Sequence, residues 1–132
     1  MILKRFISPI FLFCLMLFSC NQGNQMNDNT SEDYDSHAQK AYDYWNKQKF
    51  DSAFYYFEKA NRVASTKEQK VYALYQLAEI QRVFCDFSGA EASATEAYKN
   101  NNTPKYFPHI YNTLGIVYQE LYNYDEAIKY YN

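Results

Sequence analysis

The stretch that decides the fold is YNTLGIVYQELYNYDEAIKYY, residues 111–131. Its small and apolar residues recur three and four positions apart, which is the period of a helix and not the two-residue alternation of a strand. Gly115 precedes a tyrosine by three residues, and Ala127 precedes another tyrosine by four. Because residues three and four apart share a helix face, the stretch predicts two helices joined near residues 122–123.

The same pattern occurs three times along the chain, in steps of 37 residues. The phrases FDSA, FSGA and YDEA end on the small residues Ala53, Ala90 and Ala127. Another small residue comes twelve positions before each of them, at Ala41, Ala78 and Gly115. A third set, Ala60 and Ala97, follows downstream in two of the copies. Such residues let two helices press together, so each copy predicts an antiparallel helix pair with a tight turn near residues 48–49, 85–86 or 122–123.

Two sequence signals predict where helices begin. Ser36 with Gln39, and Ser65 with Glu68, have the spacing of a capping box. In that motif the hydroxyl and the longer polar side chain satisfy each other's unpaired backbone amides. We therefore expect the first and third helices to begin after Ser36 and Ser65.

The order of a small residue, an aromatic at +3, an aromatic at +9, an alanine at +12 and an aromatic at +16 resembles the tetratricopeptide repeat (TPR). The resemblance covers residues 34–132, with repeats near 34–70, 71–107 and 108–132, the last incomplete. It implies an all-α fold, a short right-handed solenoid of about two and a half stacked helix pairs. Because the period is 37 residues instead of the usual ~34, we expect an extra turn at the end of each second helix or in the connection.

The resemblance also implies a concave groove, lined by the first helix of each pair, that binds a protein or peptide. The candidate groove residues are Ala38, Tyr42, Trp45, Tyr72, Tyr75, Gln76, Glu79, Arg82, His109, Asn112, Ile116 and Gln119. Tyrosine, tryptophan and arginine often anchor interfaces. The alternative is that these side chains are ordinary half-buried helix surface. The carboxylate clamp of the chaperone-binding TPR proteins is not implied, because its places are taken by Ala38, Tyr42, Gln76, His109 and Thr113.

The composition argues against several other classes of function. Thirteen Lys and Arg against 15 Asp and Glu provide no basic field for nucleic acid. His37 and His109 have no partner at metal-ligand spacing, and no glycine-rich phosphate loop or nucleophile–histidine pair is apparent. We therefore expect a non-catalytic protein with no cofactor, no metal and no small-molecule substrate. Cys85, at an inter-helix turn, is either an ordinary turn residue or a thiol that is reactive or links to a partner.

The first 20 residues, MILKRFISPIFLFCLMLFSC, have the form of an export signal. Lys4 and Arg5 precede an apolar run that is shorter than the ~20 residues of a membrane span. The following residues 17–20, LFSC, resemble a bacterial lipobox. This implies a signal peptide over residues 1–19, cleaved before Cys20, which would then carry the lipid. The alternatives are an ordinary secretory signal with a coincidental cysteine and an uncleaved anchor.

Residues 20–33 are expected to be a flexible tether, because their one large apolar side chain, Met26, cannot offset the cost of ordering the chain. Asn21 after the cysteine favours the outer over the inner membrane. The predicted location is therefore the cell envelope, with the helical domain held off the membrane by its lipid anchor.

Two functions are compatible with this sequence. The first is a lipid-anchored module that binds a protein or peptide in the envelope. The second is the extracytoplasmic sensor region of a longer signalling protein, a histidine kinase or a transcriptional regulator. It would explain why the sequence stops at Asn132, within the second helix of the third pair. Ile128 and Tyr131 are then expected to lack a following repeat, and the last helix to be frayed or covered by another chain.

Overall fold

The computed structural model describes residues 33–132, and all the regular structure in this part of the chain is helical. The elements are α1 (Tyr34–Asn46), α2 (Phe50–Val63), α3 (Lys67–Val83), α4 (Phe87–Asn100), a 3-10 helix (Pro104–Tyr106), α5 (Phe107–Glu120) and α6 (Tyr124–Tyr131). Each α-helix packs against the next, and α3 also contacts α5. This is the predicted all-α stack of helix pairs. The predicted signal peptide, Cys20 and the rest of the tether up to residue 32 lie outside the described residues.

The turn within each helix pair has the same geometry in all three copies. After α1, the backbone N–H groups of Gln48 and Lys49 donate to the carbonyl oxygens of Trp45 and Tyr44, at 2.8 and 2.9 Å. Equivalent bonds end α3 and α5, and this pairing is the Schellman motif. The central residues are left-handed, with φ of 55° at Gln48, 59° at Cys85 and 59° at Tyr122. The three predicted turn positions are therefore confirmed.

Small residues occupy the closest helix contacts, as their spacing predicts. The alanines at positions 41, 53, 60, 78, 90, 97 and 127 are at most 3% exposed. Larger side chains fill the space around them, and Phe57 is fully buried between helices of the first two pairs. At Gly115 a Cβ atom would collide with the ring of Tyr131, so this ring can lie over α5 as it does only because position 115 lacks a side chain. Tyr131 itself is 50% exposed and Ile128 56%.

The predicted capping boxes are both wrong in position. Helix α1 begins three residues earlier than expected, because the Asp33 carboxylate accepts the Ser36 N–H at 3.0 Å and Ser36 lies inside the helix. Helix α3 is capped one residue later, by Thr66, whose hydroxyl accepts the Gln69 N–H at 3.1 Å. The Gln69 side chain accepts in return from the Thr66 N–H at 3.2 Å. Aspartate and threonine can cap a helix as serine does, so more than one residue near each helix start can serve as the cap.

The extra residues of the 37-residue period do not lengthen the second helices, since α2 and α4 have 14 residues each. In the second pair they lengthen the first helix, because α3 has 17 residues where α1 has 13. Before the third pair they form the 3-10 helix of the connection. Within residues 33–132 none of the helices has the length and hydropathy needed to cross a membrane.

Candidate functional site

A cavity of about 320 Å³ opens on the first helices of the three pairs. Its lining comes from equivalent faces of α1, α3 and α5: Tyr42, Trp45, Tyr75, Gln76, Glu79, His109, Asn112 and Thr113. Members from one helix are one, three or four residues apart, which places them on one side of that helix. We call this the groove cavity.

Seven of the candidate groove residues lie together in the groove cavity, and five do not. Ala38 and Tyr72 line an adjoining cavity, while Arg82, Ile116 and Gln119 line neither of the two. Thr113 also lines the groove cavity but is not among the predicted groove residues. Its signal was available, because Thr113 comes 37 residues after Gln76 and so shares its position in the repeat.

Glu79 is the charged centre of the groove cavity, and both of its carboxylate oxygens are engaged. One oxygen lies 2.5 Å from the hydroxyl of Thr113, and the other forms an ion pair with Arg82 at 3.0 Å. The single Thr113 proton is donated either to Glu79 or to the His109 carbonyl oxygen, 2.9 Å away. Since the Glu79 side chain is only 19% exposed, these contacts hold a desolvated carboxylate in one orientation.

Aromatic rings form the walls around this carboxylate. The rings of Tyr75 and His109 stack with centroids 5.5 Å apart, and Trp45 meets Phe50 edge to face at 5.3 Å. Tyr42 is 48% exposed, so its ring is open to solvent. Burial, followed by the neighbouring Tyr72 and Glu79, raises the pKa of Tyr75, so its phenol stays protonated near neutral pH.

The groove cavity continues toward the start of α1. A second cavity of about 440 Å³ shares Tyr42 with it and is otherwise lined by Asp35, Ala38, Gln39 and Tyr72. The two cavities therefore follow the exposed side of α1 over residues 35–45. An extended segment can contact both, since each residue of such a chain spans ~3.3 Å.

The groove cavity combines aromatic, amide and carboxylate side chains. Its side chains supply aromatic faces, the amides of Gln76 and Asn112, and one carboxylate held by two partners. No group of three or more His, Cys, Asp or Glu side chains suited to a metal ion occurs within residues 33–132. Cys85 is exposed at its turn and does not line the groove cavity.

Fold and cavity together define an α-helical repeat protein with a groove along the first helices of its pairs. Comparison of the chain with protein-family models, with curated proteins and with solved structures found no match. The TPR assignment therefore stays a prediction that rests on the 37-residue pattern.

Proposed function

We propose that residues 34–132 are a non-catalytic module of the TPR type that binds an extended protein or peptide segment in the groove. The observation that supports this proposal is the groove cavity itself, in which three successive first helices contribute side chains from equivalent faces. A groove that crosses several repeats suits a ligand that is long and narrow.

The lining indicates what such a segment would present. Trp45, Tyr42 and Tyr75 offer broad contact area at low entropic cost, which favours an aromatic or long aliphatic side chain. The amides of Gln76 and Asn112 can pair with backbone groups of an extended chain. Arg82 already forms an ion pair with Glu79, so the groove does not require a charged ligand.

The proposal is tested with peptides selected from a random display library on the full chain. We expect Trp45→Ala to weaken the selected peptides about thirtyfold or more, the usual effect of a central aromatic contact. Tyr55→Ala is the matched control, because Tyr55 is 49% exposed on α2 and does not line the groove cavity. Peptides that bind the Trp45 variant as well as the unaltered chain would place the binding surface elsewhere.

We propose further that the module is held in the bacterial envelope by a lipid on Cys20, with the outer membrane as its location. The support is the sequence of the first 20 residues, with its short apolar run and lipobox-like end. Labelled palmitate is expected to enter the chain in bacteria, and Cys20→Ala to abolish the labelling. Unchanged labelling and membrane attachment in the variant would refute the anchor and leave the groove proposal untouched.

A further inference from the structure

A further cavity, distinct from the two along the groove, lies where the 3-10 helix meets the beginnings of α1 and α3. It is a cavity of about 390 Å³ lined by Tyr34, Thr66, Glu68, Gln69, Tyr72 and Tyr106. Half of the lining residues are tyrosines, and Glu68 is the one charged side chain among them. We call this site the tyrosine cup.

Hydrogen bonds and ring packing fix the three rings of the tyrosine cup. The Tyr34 hydroxyl donates to the carbonyl oxygen of Gln69 at 3.0 Å, and the Tyr72 hydroxyl accepts from Gln76 at 3.0 Å. The rings of Tyr72 and Tyr106 lie 6.3 Å apart, inclined at 57°. Two inclined ring planes at this separation form adjoining walls rather than a closed stack.

The tyrosine cup already attracts a cation of the protein itself. The Lys105 ammonium lies 4.9 Å from the ring centroid of Tyr106 and 3.2 Å from a carboxylate oxygen of Glu68. The distance to the ring is that of a cation–π contact. Because the Lys105 side chain is 67% exposed, this ammonium is held weakly at the rim and can be displaced.

Neighbouring charges keep the tyrosine cup favourable for a cation. It lies at the positive end of the α3 dipole, but Glu68 is in the first turn of that helix and offsets the dipole. Lys70 is engaged with Glu96 at 3.0 Å. Burial, then Tyr72, Tyr106 and the carboxylates of Asp35 and Glu68, raises the pKa of Tyr34. The Tyr34 phenol is therefore neutral near pH 7, and Glu68 is the charged side chain in the lining.

We propose that the tyrosine cup binds a quaternary ammonium group, such as the trimethylammonium end of choline, in place of the Lys105 ammonium. Ring faces attract a cation without supplying hydrogen bonds, so they suit one that has no N–H donors to satisfy. A lysine ammonium is strongly hydrated and stays at the rim. The proposal does not depend on the groove proposal, since the tyrosine cup shares no lining residue with the groove cavity and only Tyr72 with the cavity that adjoins it.

Calorimetric titration of the full chain with choline tests this proposal. The matched ligand is 3,3-dimethylbutan-1-ol, which has the shape of choline and no charge. Choline is expected to bind at least about fivefold more tightly than the alcohol, the size of a cation–π contact. Tyr34→Leu and Glu68→Gln are each expected to weaken the binding of choline by a similar factor. Lys105→Met is expected to strengthen the binding of choline. Trp45→Ala, in the groove, is expected to leave it unchanged.

Two comparisons make the result decisive. Tyr55→Leu controls for the loss of a tyrosine elsewhere, and thermal unfolding shows whether each variant is folded. Binding to phosphatidylcholine vesicles that Tyr34→Leu lowers would identify a lipid headgroup as the source, whereas binding of choline alone would identify a soluble cation. No saturable binding of choline, or equal binding of choline and the alcohol, would overturn the proposal.

Discussion

Glycine at the left-handed turn position of Cys85 is expected to stabilise the fold. The residue has φ of 59° and is exposed, so its side chain makes no buried contact that glycine would lose. Its N–H already donates to the Arg82 carbonyl oxygen at 3.0 Å, and that bond is available to any residue except proline. The substitution Cys85→Gly therefore changes the conformational cost of the turn and little else.

The magnitude follows from two opposing terms. A residue with a Cβ atom loses about 1–2 kcal/mol in the left-handed region, which glycine does not. Glycine in turn loses about 0.5–1 kcal/mol more on folding, because its unfolded chain is freer. The expected net gain in the free energy of unfolding is about 0.5–1 kcal/mol, which for a domain of this size raises Tm by about 2–8 °C.

Thermal unfolding followed by circular dichroism measures the effect. Cys85→Ala is the matched control, because it removes the thiol and keeps the Cβ atom, so its Tm is expected to stay near that of the unaltered chain. The comparison of the glycine and alanine variants isolates the backbone term. If Cys85→Gly is no more stable than Cys85→Ala, the left-handed turn is not a source of strain and the reasoning is wrong.

Two further predictions concern the core and the tyrosines. Phe57→Ala is expected to lower the free energy of unfolding by about 3–5 kcal/mol, because it empties a fully buried site, whereas Tyr55→Ala on the exposed face of α2 has a much smaller effect in the same urea titration. Burial, followed by a hydrogen bond to Glu91, raises the pKa of Tyr118 above its usual 10.0, so the stability it contributes is complete below pH 10 and is lost as the pH rises through the folded-state pKa. Tyr118→Phe should therefore be less stable at neutral pH and lose less stability in alkali, and an unchanged alkaline slope in urea titrations from about pH 8 to 12 would contradict this.

The 37-residue pattern predicted the parts of the fold that depend on close helix contact. Residues in the alanine contacts must be small, so the chain repeats them at one spacing, and the turns follow at the same spacing although Gln48, Cys85 and Tyr122 differ in type. The starts of α1 and α3 were predicted less well. A helix cap needs only a short polar side chain, and several such residues occur near each of these starts. Asp33 lies three residues before Ser36, and Thr66 directly follows Ser65.

In the groove, too, the repeat predicts the position of a residue but not the side chains that it contacts. The repeat indicates which residues face the groove. It does not indicate which of them pack against a neighbouring side chain and so do not line the groove cavity. Tyr72 and His109 occupy equivalent positions, yet only His109 lines the groove cavity. The ring of Tyr72 instead packs against Phe57 and Tyr106, at 6.1 and 6.3 Å.

The period alone does not predict the tyrosine cup, because within residues 33–132 the 3-10 helix that contributes Tyr106 lies only between the second and third pairs. Tyr106 comes from that connection, which has no counterpart between the first and second pairs, where three residues join α2 to α3. Tyr72 lines both the tyrosine cup and the cavity that adjoins the groove cavity, and Tyr106 of the connection completes the cup. The tyrosine cup therefore combines Tyr34 and Tyr72, from the repeated helices α1 and α3, with Tyr106 from a connection where the repeat is broken.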